Sequence, residues 1–335
     1  MKKTSIKDIA KLSGVSVATV SRVINDNGRF SEETRQKVLA VIKETNYQMN
    51  FSAKSLRMNK SFSVGILVPD ISNYFFSSVV QQMEAILFEQ GYSTIICNTG
   101  RNLDKELAYL NMLESKMVDG LIVISGADEF GFNYSNAENG IPYVCIDRQP
   151  KDKKDTIFIS SNHYQGAFEA TEALIHAGAK SPVIFMHNSR QSSSAKERLK
   201  GFQDALKKNN IQMDPELSIF TIDLQKPDYQ KNIAIFVQKA KKIDGIFAIN
   251  DHIAIELLNF LPTIGKKIPD DIKLIGFDDT PQCNYTVPKL SSVKQNIPEI
   301  AQITVDNLIS IIKNPEQQKQ ITEIVPVELS LRGSI

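Results

Sequence analysis

Between residues 5 and 45 apolar side chains recur at three- and four-residue intervals, the spacing of one helix face. Ile6, Ile9, Ala10 and Leu12 form a first stripe, and Gly14 ends it. Val20, Val23 and Ile24 form a second. SEETRQKVLAVIKETN predicts a third helix with Val38, Leu39, Val41 and Ile42 inward. Ser16 and Ser31 precede the second and third stripes, where a hydroxyl accepts a backbone N–H and caps the helix. Two short helices joined by a glycine-containing turn, with a third packed across them, make a helix-turn-helix pattern. A three-helix core with no nucleic acid is the plainer alternative.

From Ser63 the rhythm changes. SVGILVPD, STIICNT, DGLIVIS and PYVCID are short strand-like runs, separated by FFSSVVQQMEAILFEQG and KELAYLNMLESKMV. The alternation resumes through SPVIFMH, SAKERLKGFQDALKKN, LSIFTID, IAIFVQKAKKI, DGIFAIND and DIKLIGFDD. Strands and helices alternating in this way predict parallel, doubly wound sheets. About ten strands are too many for one sheet, so two subdomains are expected. The fold predicted is an all-α helix-turn-helix headpiece followed by an α/β core of two doubly wound subdomains. Ligands of such sheets bind beyond the carboxyl ends of the strands. Those ends here carry polar residues: PDISNYFF, IDRQ, FAIND and GFDD.

Charge sharpens the reading of the head. Residues 1–60 hold 12 Lys/Arg against 5 Asp/Glu, a net +7, while the remainder holds 27 against 33, a net −6. A basic head on an acidic body suits a polyanionic partner at one end. No carboxylate occurs from Lys11 to Asn25, and the second helix carries mostly short side chains with one long cation, Arg22. Such a face is built to come close to something negative.

Other classes fit less well. No apolar run reaches the ~18 residues that span a membrane. MKKTSIKDIAKLSG has no apolar signal core, so a cytoplasmic protein is expected. Cys97, Cys145 and Cys283 are far apart and read as reduced, buried thiols. The four histidines are isolated, without HxxxH or HExxH spacing, so neither a metal site nor a cofactor is expected. There is no GxG or GxxxxGK[ST] loop, which argues against a nucleotide-dependent enzyme. A transport receptor would lack the basic head and carry a signal peptide.

IKDIAKLSGVSVATVSRVIN closely resembles the headpiece of the lactose-repressor family of bacterial transcription regulators, and the resemblance covers essentially the whole chain. NYQMNFSAKSLR resembles the family's hinge, with Met49 where a proline is usual. The body resembles the periplasmic sugar-binding fold. The resemblance implies a DNA-binding headpiece at 1–48, a hinge at 49–61 and a sugar-sensing, dimerising core at 62–335. Within the core, subdomain 1 is expected at about 62–160 and 291–318, and subdomain 2 at about 161–290 and 319–335. It implies a homodimer on a near-palindromic operator. No leucine heptads follow VELSLRGSI, so no tetramerising tail is expected.

By the same resemblance, residues 17–25 form the recognition helix. Val17 and Ala18 would meet thymine methyls or base edges, and Arg22 would give paired donors to guanine. Ser16, Thr19, Ser21, Asn25, Ser31 and Thr34 would hold phosphate or sugar, fixing register. Arg29 would contact the DNA backbone. Tyr47 reads equally as a backbone contact or a packed core tyrosine. Asn50 and Ala53 lie on the hinge, and Leu56 falls where the family wedges a paired leucine into a minor-groove step.

The effector set implied is Asn73, Phe75, Phe76, Asp147, Arg198, Asn250, Asp278 and Gln295, with Arg148 beside Asp147. Aromatic rings stack on a sugar, while a carboxylate and an arginine serve adjacent hydroxyls. The IDRQ run and the spacing in GFDDTP resemble ribose-binding proteins and ribose repressors. Leu224 stands where those binding proteins offer a second stacking phenylalanine. Sucrose and fructose repressors share the DR pair and have segments similar to CNY and VKQ, so a related furanose is the competing effector. A phosphocarrier protein acting as corepressor is a third reading.

Overall fold

The computed structural model describes residues 4–47, 60–124, 140–147, 156–187, 192–214, 216–240, 242–315 and 319–335. The chain forms two compact units, residues 1–61 and 62–335. Arg148, Asn50, Ala53, Leu56 and all of the expected hinge but Lys60 and Ser61 lie outside the described residues.

The first unit contains α1 (Ile6–Ser13), α2 (Val17–Ile24) and α3 (Glu32–Glu44). Ser5 and Asp8 cap α1 reciprocally, the Ser5 amide donating to the Asp8 carboxylate at 2.8 Å. Gly14 ends α1 at φ 66°, a left-handed conformation that costs glycine little. Ser16 caps α2 by accepting from the Thr19 amide at 3.0 Å, and Ser31 caps α3 from Thr34 at 3.2 Å. Ile9, Ala10, Val20, Val23 and Val38 are buried together.

Two residues expected in that core face outward. Leu12 is 60% exposed and Leu39 41%. The α1 phase set by Ile6, Ile9 and Ala10 turns Ser13 inward instead, and its hydroxyl is satisfied by donating to the Ile9 carbonyl at 2.6 Å. In α3, Val38, Val41 and Ile42 fix the phase, and Leu39, one residue past Val38, is rotated away from the core.

Among the described residues, the second unit holds two six-stranded sheets. The first has the order β11-β5-β4-β3-β1-β2, from β1 (Ser63–Val68), β2 (Ser93–Asn98), β3 (Gly120–Ile124), β4 (Tyr143–Ile146), β5 (Ile157–Ser161) and β11 (Ile321–Val325). The second has the order β12-β10-β9-β8-β6-β7, from β6 (Pro182–His187), β7 (Ile219–Ile222), β8 (Gly245–Ala248), β9 (Lys273–Asp278), β10 (Ser291–Gln295) and β12 (Val327–Ser330). All pairings are parallel except β10 with β12. Helices α4 (Tyr74–Glu89), α5 (Leu103–Ser115) and α10 (Ile297–Lys313) belong with the first sheet. Helices α6 (His163–His176), α7 (Ser193–Lys208), α8 (Tyr229–Lys239) and α9 (Asp251–Phe260) belong with the second. No described helix is long and apolar enough to cross a membrane. All three cysteines are buried and unbonded to one another.

The chain crosses between sheets at points different from those expected. Residues 291–295, assigned from sequence to subdomain 1, pair with β9 in the second sheet. Residues 321–325, assigned to subdomain 2, pair with β5 in the first. Backbone pairing decides membership here, and SSVKQ and ITEIV carry no signal of which sheet they join. The crossings therefore run Ser161–His163, Gln295–Ile297 and Val325–Val327. They are tied together: the Asn162 amide donates to the Val325 carbonyl at 2.8 Å, and the Ser161 hydroxyl to Gln295 Oε1 at 2.5 Å.

Helices α6 and α7 pack closely through Gly201. A Cβ there would overlap the Tyr164 carbonyl oxygen and lie 2.9 Å from the Phe168 nitrogen. Both obstacles are backbone and cannot swing aside. Gly201→Ala should therefore lower unfolding stability by at least about 1–3 kcal/mol, measured by chemical denaturation. An unchanged midpoint would mean that the helix pair can part at no cost.

Candidate nucleic-acid interface and effector pocket

In the head, the two faces of α2 divide cleanly. Val20 and Val23 enter the core. Ser16, Val17, Ala18, Arg22 and Asn25 are exposed, while Thr19 and Ser21 are half-buried. Arg29 and Ser31 are exposed and Thr34 is half-buried. Some polar groups already have local partners: the Ser16 and Thr19 hydroxyls lie 2.8 Å apart, and Asn25 Nδ2 donates to the Ser21 carbonyl at 2.7 Å. Tyr47 is half-buried against the head core, as its packing reading expects. The exposed α2 face carries no carboxylate, and Ser16 begins it with a helix N-terminus, where backbone N–H groups favour anions.

In the body, the carboxyl ends of both sheets meet at a cavity of about 550 Å³. Asn73, Phe75, Phe76, Asp147, Arg198, Leu224, Asn250 and Asp278 all line it. Gln295 stands behind the wall and donates from Nε2 to Asp278 Oδ1 at 2.7 Å. Asn73 caps α4, its side-chain oxygen accepting from the Phe75 and Phe76 amides at 3.0 and 3.4 Å. Their rings are thereby fixed edge to face, with centroids 5.4 Å apart. The guanidinium of Arg101, not singled out from sequence, sits 5.8 Å from the Phe76 ring. Asn250 caps α9 in the same manner, accepting from the Ile253 amide at 3.0 Å, and its Nδ2 donates to His187 Nε2 at 3.2 Å.

Three buried charges converge there. Asp147 follows β4 at φ 54°, its carboxylate accepting from Ser160 at 2.7 Å and from His163 at 2.9 Å. Burial opposes its ionisation, but His163, Ser160 and Arg198 outweigh burial and hold its pKa below the ordinary value. Arg198, on α7, donates from Nη1 to the Ile249 carbonyl at 2.5 Å and from Nη2 toward Asp278 at 3.5 Å. Its guanidinium lies 3.6 Å from the centroid of the Phe277 ring. Asp278 ends β9 at φ 116°. Burial raises its pKa against the pull of Arg198, and Asp251 adds to the rise. Of the two carboxylates, then, Asp147 is the firm anion and Asp278 the more readily protonated.

Sequence reasoning missed His163, Ser160 and Ser161. All three flank the first crossing, and no run or spacing marks them. Leu224 is half-buried in the cavity wall, with an aliphatic side chain where a second ring would stack.

Residues 5–50 match the model of the lacI family of bacterial regulatory proteins, and residues 171–335 that of a periplasmic binding protein-like domain. A ribose operon repressor of Halalkalibacterium halodurans is 34% identical over 98% of this chain and 96% of its own. A sucrose operon repressor of Pediococcus pentosaceus (98% of each chain) and a PurR repressor of Aliivibrio salmonicida (99% of this chain, 98% of its own) are each 32% identical. The crystal structure of a LacI family regulator from Enterococcus faecium with bound ribose superposes with a TM-score of 0.71. It is 28% identical and covers 81% of this chain and 98% of its own. The chain belongs to the LacI family of bacterial regulatory proteins. It is a DNA-binding transcriptional repressor, and its body has the periplasmic-binding-protein fold.

Proposed function

We propose that this repressor controls a sugar-utilisation operon, that its operator affinity is set by a small sugar in the interlobe cavity, and that the sugar is ribose. The observation that carries the reading is the convergence of Asp147, Arg198 and Asp278 on a cavity walled by Phe75 and Phe76. Two acceptors and a fork of donors suit neighbouring ring hydroxyls, and the aromatic pair suits the sugar's C–H face. The similarity to a ribose operon repressor and to a ribose-bound regulator supports the same effector. Arg148 and Gln295 belong to the proposed set, Gln295 by orienting Asp278.

The headpiece reads a near-palindromic operator through Ser16 to Asn25, with Arg29, Ser31, Thr34 and Tyr47 on the backbone. Asn50, Ala53 and Leu56 complete the contact through the hinge. Two copies are required for a two-fold operator. The dimer would form through the first lobe, where Tyr74 and Phe88 of α4 and Ile96 of the edge strand β2 are exposed apolar residues. Sugar closing the cleft shifts the DNA-binding equilibrium only by its differential affinity for the two states.

A fructose- or sucrose-type effector is the second reading. Leu224 favours it, since one stacking face is absent, and so does a cavity roomy enough for a disaccharide. Calorimetric titration with D-ribose, D-fructose, sucrose and ribose 5-phosphate, followed by operator binding with whichever binds, separates the two. Heat from D-ribose coupled to a change in operator affinity is the expected result. Binding by fructose or sucrose alone moves the protein to the furanose branch. Silence from all four removes the small-sugar reading and points to a protein corepressor.

A further inference from the structure

We propose that His163, as a neutral imidazole carrying its proton on Nε2, is a positioning residue that ties the effector-binding charges of the two lobes together across the hinge. It rests on the reading of the cavity as an effector site. His163 is the first residue of α6 and directly follows the crossing at Ser161 and Asn162. It does not line the cavity, and it is only 3% exposed. Its two nitrogens reach one cavity residue each. Nε2 lies 2.9 Å from Asp147 Oδ1, and Nδ1 lies 3.3 Å from both Nε and Nη2 of Arg198.

Arginine only donates, so Nδ1 must offer its lone pair, and the ring proton must sit on Nε2. Nε2–H then donates to Asp147. An imidazolium would set an Nδ1–H against the guanidinium and break the chain at that point. The surroundings agree. Asp147, itself held by the Ser160 hydroxyl, faces the ring from the first lobe. Arg198 and Glu197 face it from α7, and the Phe277 ring lies 5.6 Å away on β9 with Asp278 beyond Arg198. Burial disfavours the charged form, Asp147 opposes that and Arg198 reinforces it, leaving the pKa below the ordinary histidine value.

The consequence is geometric. Asp147 follows a strand of the first sheet and Arg198 lies on a helix of the second, and the ring bridging them directly follows a crossing between the two. Rotation of one lobe about residues 161–163 moves Asp147 relative to Arg198, so both bonds hold only over a narrow range of closure. His163 thus fixes the separation at which Asp147 and Arg198 present themselves to a ligand, without touching it.

Two measurements on the full-length protein test this. Ring ¹⁵N spectra of histidine-labelled protein, with His163→Gln identifying the signal, should show the Nε2–H tautomer persisting well below pH 6.5. The Nδ1–H tautomer, or ordinary titration near pH 6.5, would overturn the proposal. In the second, His163→Gln keeps one donor and one acceptor, whereas His163→Leu keeps only bulk. D-ribose affinity should stay within about threefold for the Gln variant and fall at least tenfold for the Leu variant, two charge-assisted hydrogen bonds being lost. Wild-type affinity should hold through pH 6.5 and fall only at the lower pH where the spectra show Nδ1 taking up a proton, and the Gln variant should lack that fall. Wild-type affinity in the Leu variant, or an equal acid loss in the Gln variant, overturns the proposal. A wild-type protein that ignores D-ribose defeats the effector reading instead, and the ring spectra then decide on His163 alone.

Discussion

Arg198→Ala should abolish the response to ribose while leaving the operator bound. The guanidinium holds the Ile249 carbonyl, the His163 lone pair, the Asp278 carboxylate and the Phe277 ring face at once. Removing it strands these groups in a buried setting, and breaking a buried ion pair from one side costs about 3–5 kcal/mol. Asp278 softens the loss, because its raised pKa lets it take up a proton rather than remain an unpaired anion. On the proposed reading of the cavity, a bound sugar would lose its donor fork. Calorimetry should show D-ribose affinity down at least ~100-fold, with operator affinity within about threefold, since the headpiece is a separate unit. Arg198→Lys should recover little, because an ammonium can neither stack on Phe277 nor donate in parallel to His163 and Asp278. Ribose affinity surviving in the alanine variant would remove Arg198 from the effector site.

Arg22→Ala has the opposite signature. Arg22 is exposed in the last turn of α2, and its methylenes pack over Gly28, where a Cβ would lie 3.3 Å from Arg22 Cδ. The side chain thus lies along the loop after α2. A guanine-reading arginine supplies about 1–3 kcal/mol of discrimination, so operator affinity should fall ~5- to 150-fold and preference should relax at a single base pair. D-ribose binding should not change. Selection of preferred sites with both proteins, followed by anisotropy at several salt concentrations, reads both effects. A uniform loss across sequences, with the salt slope reduced by about one, would instead assign Arg22 to a phosphate.

The histidine and serine residues at the first crossing explain why only part of the site was legible. Asn73, Asp147, Asn250 and Asp278 could be found because each ends a strand or caps the helix after it, and strand ends are visible in the hydrophobic pattern. Arg198 was named only through the family resemblance, since nothing in its helix pattern sets it apart from the neighbouring cations. His163 has no such marker. It matters only because α6 begins where three separate crossings converge, an arrangement set by the pairing of β10 with β9 and of β11 with β5. The same pairings overturned the assignment of residues 291–295 and 321–325. Leu12 and Leu39 show the limit at smaller scale: apolar identity was plain, but helix phase depends on the neighbours each helix packs against.

By itself, then, the sequence determined what local patterning can encode: three capped helices in a basic head, alternating strands and helices in an acidic body, and polar residues at strand ends. Hydrophobic periodicity, capping hydroxyls and charge asymmetry are local, and they survive reading in one dimension. Tertiary structure alone decided which sheet the last strands join, which face of α1 and α3 is buried, and the chain of buried polar groups from Asp147 through His163 and Arg198 to Asp278 and Gln295. Those contacts join residues up to 80 positions apart, the adjoining bond between Ser161 and Gln295 spans 134, and the protonation of the chain depends on burial that only the packed lobes create.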